Sequence, residues 1–393
     1  MKQVRLAIIG LGQRGHGLLK DVILKNEKAD VVAVCDVYED RMEEGKKLVR
    51  EARGKEVFGS LDYKEVICRE DVDIVAVLSA WESHIPIAVA AMKAGKEVAM
   101  EVGGAYTVEQ CWELVNVSEQ TGKQVMFLEN CCYGRKELTV LNMVKKGLFG
   151  TIVHCAGGYM HDLRDEVAEG KERRHYRLRN YLNRNCENYP THELGPIARV
   201  LDINKGNRMV SLTSTASKAA GLHEYILEKK ADDKELVNAT FAQGDIITTV
   251  IKCAGGQTIT LQLDTTLPRP YCRGFTVRGT KGMYEEANNW VFMDGDDHFK
   301  ANWNNLGEYE KDNLHPIWQK YIEEGIKGGH DGMDWLEFDR KFDCYLEGRP
   351  FEIDVYDAAS WMVVTALSEK SIALGSMPVE VPDFTKGEWI TRR

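Results

Sequence analysis

The N-terminal segment contains the feature that most constrains the fold: an apolar run, a glycine-rich turn and then helical spacing. The run that starts at Val4 leads into Gly-Leu-Gly-Gln-Arg-Gly at residues 10–15. Strand, glycine turn and helix in this order form a phosphate-binding turn, because the helix N–H groups face the phosphates. We therefore predict a dinucleotide site. In it Gly10 permits the tight turn, Gly12 lets the pyrophosphate approach, and Gly15 allows close packing of the helix.

The second predicted strand supports this interpretation. Residues 30–35 read DVVAVC and end at Asp36, which lies 21 positions after Gly15. That is close to the offset expected for a carboxylate that binds the adenosine ribose. No basic residue follows Asp36 immediately, so a 2′-phosphate would meet negative charge there. The sequence therefore favours NAD over NADP as the cofactor.

Strands and helices continue to alternate as far as residue 129. Helical patterns of roughly 10 to 15 residues separate the apolar runs, which indicates right-handed crossovers and a parallel sheet covered on both faces. Ligands of such sheets bind at the carboxyl ends of the strands. The predicted ends are Gly10, Asp36, residues 79–84, Glu101 and residues 129–130. We predict an α/β fold class with an N-terminal Rossmann NAD-binding domain over residues 1–129.

The rest of the chain has a different rhythm. Apolar runs occur at residues 152–159, 209–214, 246–253, 258–263 and 274–278. Short connectors with glycine, such as residues 254–257, predict hairpins in a large, mainly antiparallel open sheet. We predict a C-terminal α+β domain over residues 130–393 for substrate binding and oligomerisation, with a last helix at about 355–375 near the domain interface.

Composition limits the partners. The chain has 51 basic and 61 acidic residues, a net charge of -10, which would repel nucleic acid and anionic lipid surfaces. No stretch reaches about 18 consecutive apolar residues and no cleavable leader is evident, so we predict a cytoplasmic protein without a membrane segment. The ten cysteines have no zinc-type spacing, and we predict no metal. Amphipathic strands after residue 240 and a helix-poor C-terminal region predict a homo-oligomer, a dimer or tetramer, built through the exposed sheet face.

Five motifs carry a resemblance that covers nearly the whole chain. They are WESH at 81–84, ENCCYGR at 129–135, YMHDLR at 159–164, YPTH at 189–192 with LGP at 194–196, and PRPY at 268–271. With the glycine turn, the Asp36 strand end and the change of sheet type near residue 130, they make the chain resemble the Gfo/Idh/MocA oxidoreductase family. Within that family the motifs are most similar to the NAD-dependent glycoside hydrolases of the α-N-acetylgalactosaminidase type.

The resemblance implies a particular chemistry on a carbohydrate substrate. NAD⁺ removes hydride from a sugar carbon, usually carbon 3, and the ketone so formed acidifies the proton on carbon 2. Loss of that proton expels the substituent on carbon 1, water adds back, and NADH returns the hydride. Such a cycle needs proton-transfer groups rather than the paired carboxylates of ordinary glycosidases.

The resemblance also implies the site residues. The catalytic candidates are His192, Tyr159, Tyr189 and Glu129. The sugar pocket is expected to contain Tyr159, Arg177, Tyr189, Thr191, His192 and Tyr271. The candidates for cofactor binding are Gly10, Gly12, Gln13, Arg14, Gly15, Asp36, Trp81, His84, Glu101, Val102, Asn130 and Tyr189.

Three of these residues have expected roles. His192 would handle the hydroxyl proton during hydride transfer, because an imidazole titrates near neutrality and can both accept and return a proton. Tyr159 would take the proton from carbon 2. Glu129 would position the nicotinamide region or assist proton transfer.

One departure from the wider family bears on the function. Most of its dehydrogenases have Glu-Lys-Pro after the fifth strand, and the lysine serves the hydroxyl that is oxidised. Here residues 101–105 read EVGGA, with no lysine. This weakens the interpretation as a simple sugar dehydrogenase and fits the hydrolase group better. Gly103 and Gly104 could also open space for a bulkier glycoside.

Three functions therefore stay open: an NAD-recycling glycosidase, which we favour; an NAD-dependent sugar or glycoside dehydrogenase; and a catalytically silent NAD-binding sensor. A metal-dependent lyase built on His161, Asp162 and His192 is disfavoured, because His161 and Asp162 are expected to be neighbours in a strand and to point to opposite faces.

Overall fold

The computed structural model describes residues 2–328 and 330–392, which form two compact units. Unit 1 comprises Met1–Gly134 with Gln319–Ala359, and unit 2 comprises Arg135–Trp318 with Ser360–Arg393. Unit 1 thus includes a segment far along the chain, Gln319–Ala359, that the N-terminal sequence pattern does not predict. The division of the chain after residue 129 stays a prediction.

Unit 1 contains a six-stranded sheet in the order β3-β2-β1-β4-β5-β6, and all of its neighbouring strands are parallel. The strands are β1 (Val4–Ile9), β2 (Ala29–Cys35), β3 (Phe58–Ser60), β4 (Ile74–Val77), β5 (Glu97–Glu101) and β6 (Val125–Leu128). The helices that alternate with them are α1 (Gln13–Asp21), α2 (Glu39–Arg53), α3 (Tyr63–Ile67), α4 (Trp81–Lys93) and α5 (Val108–Thr121). This order confirms the predicted Rossmann fold and places its topological switch point between β1 and β4.

Burial explains why these segments form strands. Every residue of β4 and of β6 is buried, which is the continuous apolar pattern of strands covered on both faces. Each fully buried valine, isoleucine or leucine contributes roughly 1.5–3 kcal/mol to folding. The apolar runs read from the sequence are therefore the core of this unit.

Unit 2 contains an eight-stranded sheet in the order β13-β12-β11-β7-β10-β9-β8-β14. The strands are β7 (Ile152–Met160), β8 (Met209–Ala216), β9 (Ile246–Cys253), β10 (Thr258–Asp264), β11 (Thr276–Gly279), β12 (Gly282–Glu285), β13 (Trp290–Met293) and β14 (Val379–Glu380). The β7–β10 pair is parallel and the other neighbouring pairs are antiparallel, which confirms the predicted mainly antiparallel sheet. Gly256, in the predicted turn between β9 and β10, has a φ of +90°, which favours glycine.

Helices complete the chain. Those of unit 2 up to residue 313 are α6 (Arg135–Lys145), α7 (Arg164–Ala168), α8 (Arg177–Asn183), α9 (Thr191–Val200), α10 (Gly221–Lys229), α11 (Lys234–Val237) and α12 (Leu306–Asn313). The later ones are α13 (Pro316–Glu324), α14 (Met333–Glu347) and α15 (Val355–Ala373). The prediction of a helix-poor C-terminal region was therefore wrong, because the four helices α12 to α15 occupy most of residues 306–373.

Two further structural findings bear on the sequence predictions. β7 ends at Met160, so His161 and Asp162 follow the strand, and the strand-based argument against a metal-dependent lyase does not apply. Among residues 2–328 and 330–392, none of the helices has the length and apolar character needed to cross a bilayer.

Candidate active site

The glycines of the turn in unit 1 are explained in two different ways. A Cβ at Gly10, whose φ is +98°, would lie 2.5 Å from Ser79 N, and a Cβ at Gly15 would lie 2.1 Å from the Gly10 carbonyl oxygen. The protein's own backbone therefore excludes side chains there. At Gly12 the nearest heavy atom to an added Cβ would be Arg41 Nη1, at 3.5 Å. Gly12 is thus not crowded by the protein, as expected where a pyrophosphate approaches the backbone.

Asp36 is buried at the end of β2 and is joined to the glycine turn. Its Oδ2 accepts a hydrogen bond of 2.7 Å from the Leu11 N–H, and its Oδ1 accepts one of 3.0 Å from the Tyr38 N–H. A carboxylate has about four lone-pair positions, so both oxygens retain capacity for hydroxyl donors. Asp36 and the turn fit NAD, with Gln13 as the first residue of α1 beside them.

Arg14 lies within a group of carboxylates that the sequence did not associate with it. Its Nε donates to Glu101 Oε1 at 2.7 Å, and its Nη1 and Nη2 donate to both oxygens of Asp334 at 2.8 and 2.9 Å. Asn130 Nδ2 donates to Asp334 Oδ1 at 2.8 Å, and His330 Nδ1 lies 2.7 Å from Asp334 Oδ2. Three predicted cofactor residues therefore meet around Asp334, on the first turn of α14.

The charges of Asp334 and Arg14 in this group are fixed. Burial alone would raise the pKa of Asp334, but hydrogen bonds from His330 and Arg14 hold it well below its usual range. Burial likewise works to lower the pKa of Arg14, while Glu101 and Asp334 hold that pKa well above its ordinary value. Arg14 is thus a permanent cation in the first turn of α1, and its geometry is set by two carboxylates. Asp334 is the residue that sequence reasoning missed, because it comes from a segment more than 300 positions away.

Three further cofactor candidates lie in the interior of unit 1, whereas Tyr189, also a candidate, belongs to unit 2. His84 is buried, its Nε2 lies 2.8 Å from the Ser79 carbonyl oxygen, and burial lowers its pKa. Val102 is buried, and its N–H donates to Glu101 Oε2 at 2.8 Å. Trp81 occupies the space beside Gly103, where an added Cβ would lie 2.5 Å from the indole Cδ1. The suggestion that Gly103 opens room for a bulkier glycoside was therefore wrong, since the indole fills that room.

Glu129 is fully buried after β6. Its Oε1 accepts a hydrogen bond of 3.1 Å from the Cys131 N–H, at the start of the 3₁₀ turn Asn130–Tyr133. The side chain therefore caps this turn. Its predicted catalytic role stays a prediction.

Unit 2 contains a cluster that we call the aromatic cage: Tyr159, His161, Tyr189, His192 and Tyr271. The rings of Tyr159 and Tyr189 lie 4.5 Å apart, and those of Tyr159 and His192 lie 5.7 Å apart. The Tyr271 ring lies 6.3 Å from that of Tyr159 and 5.2 Å from that of His161. Tyr271 is 51% exposed, whereas Tyr159 and Tyr189 are each 8% exposed, so the cage has one open side.

The cage includes two tyrosine–histidine pairs. Tyr189 Oη lies 3.4 Å from His192 Nε2, and Tyr159 Oη lies 3.3 Å from His161 Nδ1. A phenol and an imidazole at these distances can share or transfer a proton. The first pair joins two predicted catalytic residues, whereas His161 was not among them.

Arg177 supplies the positive charge of this site. Its guanidinium carbon lies 5.1 Å from the ring centroid of Tyr189 and 5.7 Å from that of Tyr159. Arg177 Nε lies 2.8 Å from Glu166 Oε1 on α7. A buried cation over two tyrosine rings favours the anionic form of either phenol. Thr191, also predicted for the sugar pocket, is fully buried as the first residue of α9.

A glycine in β7 allows the two sides of the cage to meet. A Cβ at Gly157 would lie 1.8 Å from Glu193 Cγ, so α9 packs closely against β7 at this point. Tyr159 lies two positions along β7, and His192 directly precedes Glu193. The Gly157-Gly158 pair inside a strand was the available sequence signal for this close approach.

Comparison with known proteins agrees with both units. Residues 4–128 match the family model described as oxidoreductase family, NAD-binding Rossmann fold, and residues 133–391 match that of glycosyl hydrolase 109, C-terminal domain. The chain belongs to glycosyl hydrolase family 109. The earlier interpretation as an NAD-dependent glycosidase of the Gfo/Idh/MocA type is thereby confirmed, and so is NAD as the cofactor.

Individual relatives extend over the same length. The family 109 chain is 38% identical to an alpha-N-acetylgalactosaminidase of Tannerella forsythia over 414 residues, which covers 99% of this chain and 88% of the relative. It is also 38% identical to an alpha-N-acetylgalactosaminidase of Shewanella oneidensis, with 99% and 86% covered. A levoglucosan dehydrogenase solved with NADH and levoglucosan has a TM-score of 0.71 at 17% identity, with 97% of this chain and 100% of that chain covered. This last likeness shows the shared fold.

Proposed function

We propose that this chain hydrolyses α-linked N-acetylgalactosaminides by transient oxidation at carbon 3, elimination, addition of water and re-reduction. The observation that carries the proposal is the aromatic cage, with two tyrosine–histidine pairs around the buried Arg177. The names of the relatives from T. forsythia and S. oneidensis support the choice of sugar. The cage suits the proposal because this reaction moves two different protons of the sugar, one from oxygen and one from carbon.

The residues of unit 1 suit the cofactor. NAD⁺ supplies the oxidant that takes hydride from carbon 3 and later returns it. The N–H groups at the start of α1 and the cation of Arg14 would face its pyrophosphate, and Asp36 would accept hydrogen bonds from its adenosine ribose. Trp81, His84, Val102 and Asn130 are proposed to complete this site.

His192 is proposed to act on the sugar hydroxyl at carbon 3. Its Nε2 would accept the hydroxyl proton as the carbonyl forms and would return it at the end of the cycle. Tyr189, 3.4 Å away, would hold the imidazole in place and bind the sugar. Thr191 and Tyr271 are proposed as further contacts to the sugar, and Glu129 as a positioning group.

Tyr159 is proposed to act on carbon 2. Its phenolic oxygen would take the carbon 2 proton once the carbonyl at carbon 3 has made that proton acidic. The electron pair left at carbon 2 forms the double bond to carbon 1 and expels the leaving group. Arg177 would stabilise the phenolate form of Tyr159 on which this step depends.

A panel of nitrophenyl glycosides, assayed with and without added NAD⁺ in heavy water, tests the proposal. We expect cleavage of the α-N-acetylgalactosaminide that depends on NAD⁺, with deuterium at carbon 2 of the released sugar. An ordinary two-carboxylate hydrolase does not break the carbon 2–hydrogen bond. Cleavage without deuterium at carbon 2 would overturn the mechanism, and steady accumulation of NADH with a keto-sugar would indicate a dehydrogenase instead. Binding of NAD without turnover of any glycoside would indicate a sensor.

Assembly and location are further proposals. β9 exposes Thr248, Val250 and Lys252 and buries the residues between them, so one face of the sheet in unit 2 is accessible. This supports the expected homo-oligomer, a dimer or tetramer, built through that face. A cytoplasmic location stays an expectation from the sequence.

A further inference from the structure

His161, which lies beside Tyr159 in the aromatic cage, has been given no step of its own in the chemistry described so far. Tyr159 Oη lies 3.3 Å from His161 Nδ1, and the two rings meet edge to face with their centroids 5.9 Å apart. Tyr159 is the last residue but one of β7, and His161 is the first residue after that strand. The His161 N–H is held by the Asp264 carbonyl oxygen at 2.9 Å, at the end of the neighbouring β10. The backbone thus fixes the imidazole next to the phenol.

A tyrosine that removes a proton from carbon must first lose its own. A neutral phenol has an ordinary pKa of about 10 and is a poor base near neutrality. A neighbouring cation such as Arg177 stabilises the phenolate but cannot accept a proton, because guanidinium stays charged. Tyr159 therefore needs an acceptor for its phenolic proton, and an imidazole nitrogen is a suitable one.

We propose that His161 is the proton acceptor of Tyr159, so that the two residues form a relay that serves carbon 2 while Tyr189 and His192 serve the hydroxyl at carbon 3. This inference rests on the proposed function and deepens it. It assigns one tyrosine–histidine pair to each of the two proton transfers in the cycle.

The relay balances within the elimination step. The proton leaves carbon 2 for Tyr159 Oη, and the phenolic proton of Tyr159 moves to His161 Nδ1, which begins neutral with its own proton on Nε2. The carbon 2 electron pair forms the bond to carbon 1 and the leaving group departs with its electrons. When water adds to carbon 1 as hydroxide, Tyr159 Oη delivers a proton to carbon 2 and His161 returns one to Tyr159, while the proton that the water releases neutralises the departed leaving group. His161 is only partly buried, so its imidazole can exchange protons with solvent between these events.

The groups around His161 favour the neutral form of its imidazole, which is the form that the relay needs. Burial lowers its pKa, and the nearby Arg177 cation lowers it further. Glu166, Asp162 and Asp165 act in the opposite direction, but the net shift is downward. Tyr271 covers the imidazole edge to face at 5.2 Å. A neutral imidazole at neutral pH can accept a proton, whereas an imidazolium cannot.

The substitution His161→Gln tests the relay, since the amide can hydrogen-bond to Tyr159 but cannot take its proton. In a single turnover with bound NAD⁺ in heavy water, we expect oxidation at carbon 3, seen as NADH absorbance, to persist. The rates of deuterium incorporation at carbon 2 and of nitrophenol release should fall by roughly 10²- to 10⁴-fold. In the wild type the exchange rate should fall at acidic pH as His161 becomes protonated, below the ordinary imidazole value of 6.5 because burial lowers the His161 pKa, and this limb should vanish in the variant. The control is His154→Gln, also on β7, where His154 Nδ1 lies 2.9 Å from Thr258 Oγ1.

The outcomes separate this inference from the proposed function. If wild-type protein cleaves the substrate without deuterium at carbon 2, the proposed function itself fails. If wild-type protein exchanges carbon 2 and His161→Gln does so at the same rate, the relay is wrong. Loss of NADH formation together with exchange would also overturn it, because His161 would then serve a step before elimination. Thermal melting and NAD titration check that the variant is folded, and His161→Asn, read by the same criteria, replaces it if it is not.

Discussion

The glycine turn of unit 1 and the aromatic cage of unit 2 are both built around one buried or partly buried arginine, yet the partners differ in kind. Arg14 is held by ion pairs with Glu101 and Asp334, which fix its position. Arg177 faces the rings of Tyr159 and Tyr189, whose phenols can gain or lose a proton. The first arrangement suits the binding of a charged cofactor, and the second suits the movement of protons. The comparison indicates that the two halves of the proposed reaction are divided between the two units.

The strongest test removes proton transfer from the cage. His192→Ala should lower the rate of glycoside cleavage by roughly 10²- to 10⁴-fold, the usual contribution of a general base. The affinity for NAD should stay unchanged, because the residues proposed to hold the cofactor are mainly those of unit 1. Isothermal titration with NAD⁺ and a nitrophenol assay would measure both quantities. His223→Ala, on α10, is the control, since that imidazole bonds to the Val237 carbonyl oxygen outside the cage. Full activity in His192→Ala would break the division of roles.

A second test sharpens the contrast between ionised and neutral carboxyl groups. Glu187, two residues before Tyr189, is fully buried, and burial raises its pKa to about 8 from an ordinary value of 4.5. Between pH 4.5 and about pH 8, Glu187 is therefore protonated in the folded protein but has released its proton in the unfolded chain. The unfolded state therefore binds fewer protons, and the free energy of unfolding falls as pH rises through this window.

Replacement of Glu187 by glutamine should remove that dependence. In Glu187→Gln the fall in unfolding free energy between about pH 5 and about pH 8 should shrink by roughly 2–4 kcal/mol, measured by urea unfolding at both values. Glu228→Gln is the control, because the Glu228 side chain is 70% exposed and pairs with Lys229 at the surface. An identical pH dependence in wild type and Glu187→Gln would show that Glu187 is ionised in the folded protein.

The smallest expected effect concerns the carboxylate that the sequence did not reveal. Asp334→Asn should weaken NAD binding by about 5- to 100-fold, because Arg14 then loses one of its two charged partners and keeps only Glu101. Titration with NAD⁺ measures the change. The matched control is Asp343→Asn on the same helix, where the carboxylate pairs with Lys28 and is 37% exposed. Equal affinities in the two variants would mean that Asp334 does not position Arg14 for the cofactor.

Much of the fold followed from local patterns. The run at residues 246–253 is β9 as predicted, and the last helix, predicted at about 355–375, corresponds to α15 (Val355–Ala373). Such agreement is expected where burial imposes a regular period on consecutive residues. The helices α12, α13 and α14, between residues 306 and 347, were not predicted. β12 and β13 were not predicted either, because strands of four residues are too short to establish an alternating pattern.

The functional residues divide in the same way. The glycine turn and Asp36 lie within one βαβ segment, so their spacing alone identifies a dinucleotide site. The sequence also indicated, through resemblance, that Tyr159, Tyr189 and His192 belong to one pocket. It could not pair Asp334 with Arg14 or identify His161 as the partner of Tyr159. A distance of about 3 Å between side chains depends on where strands end and on how closely a helix packs on a strand. Those positions are decided by tertiary contacts such as Glu193 against Gly157, which no local spacing encodes.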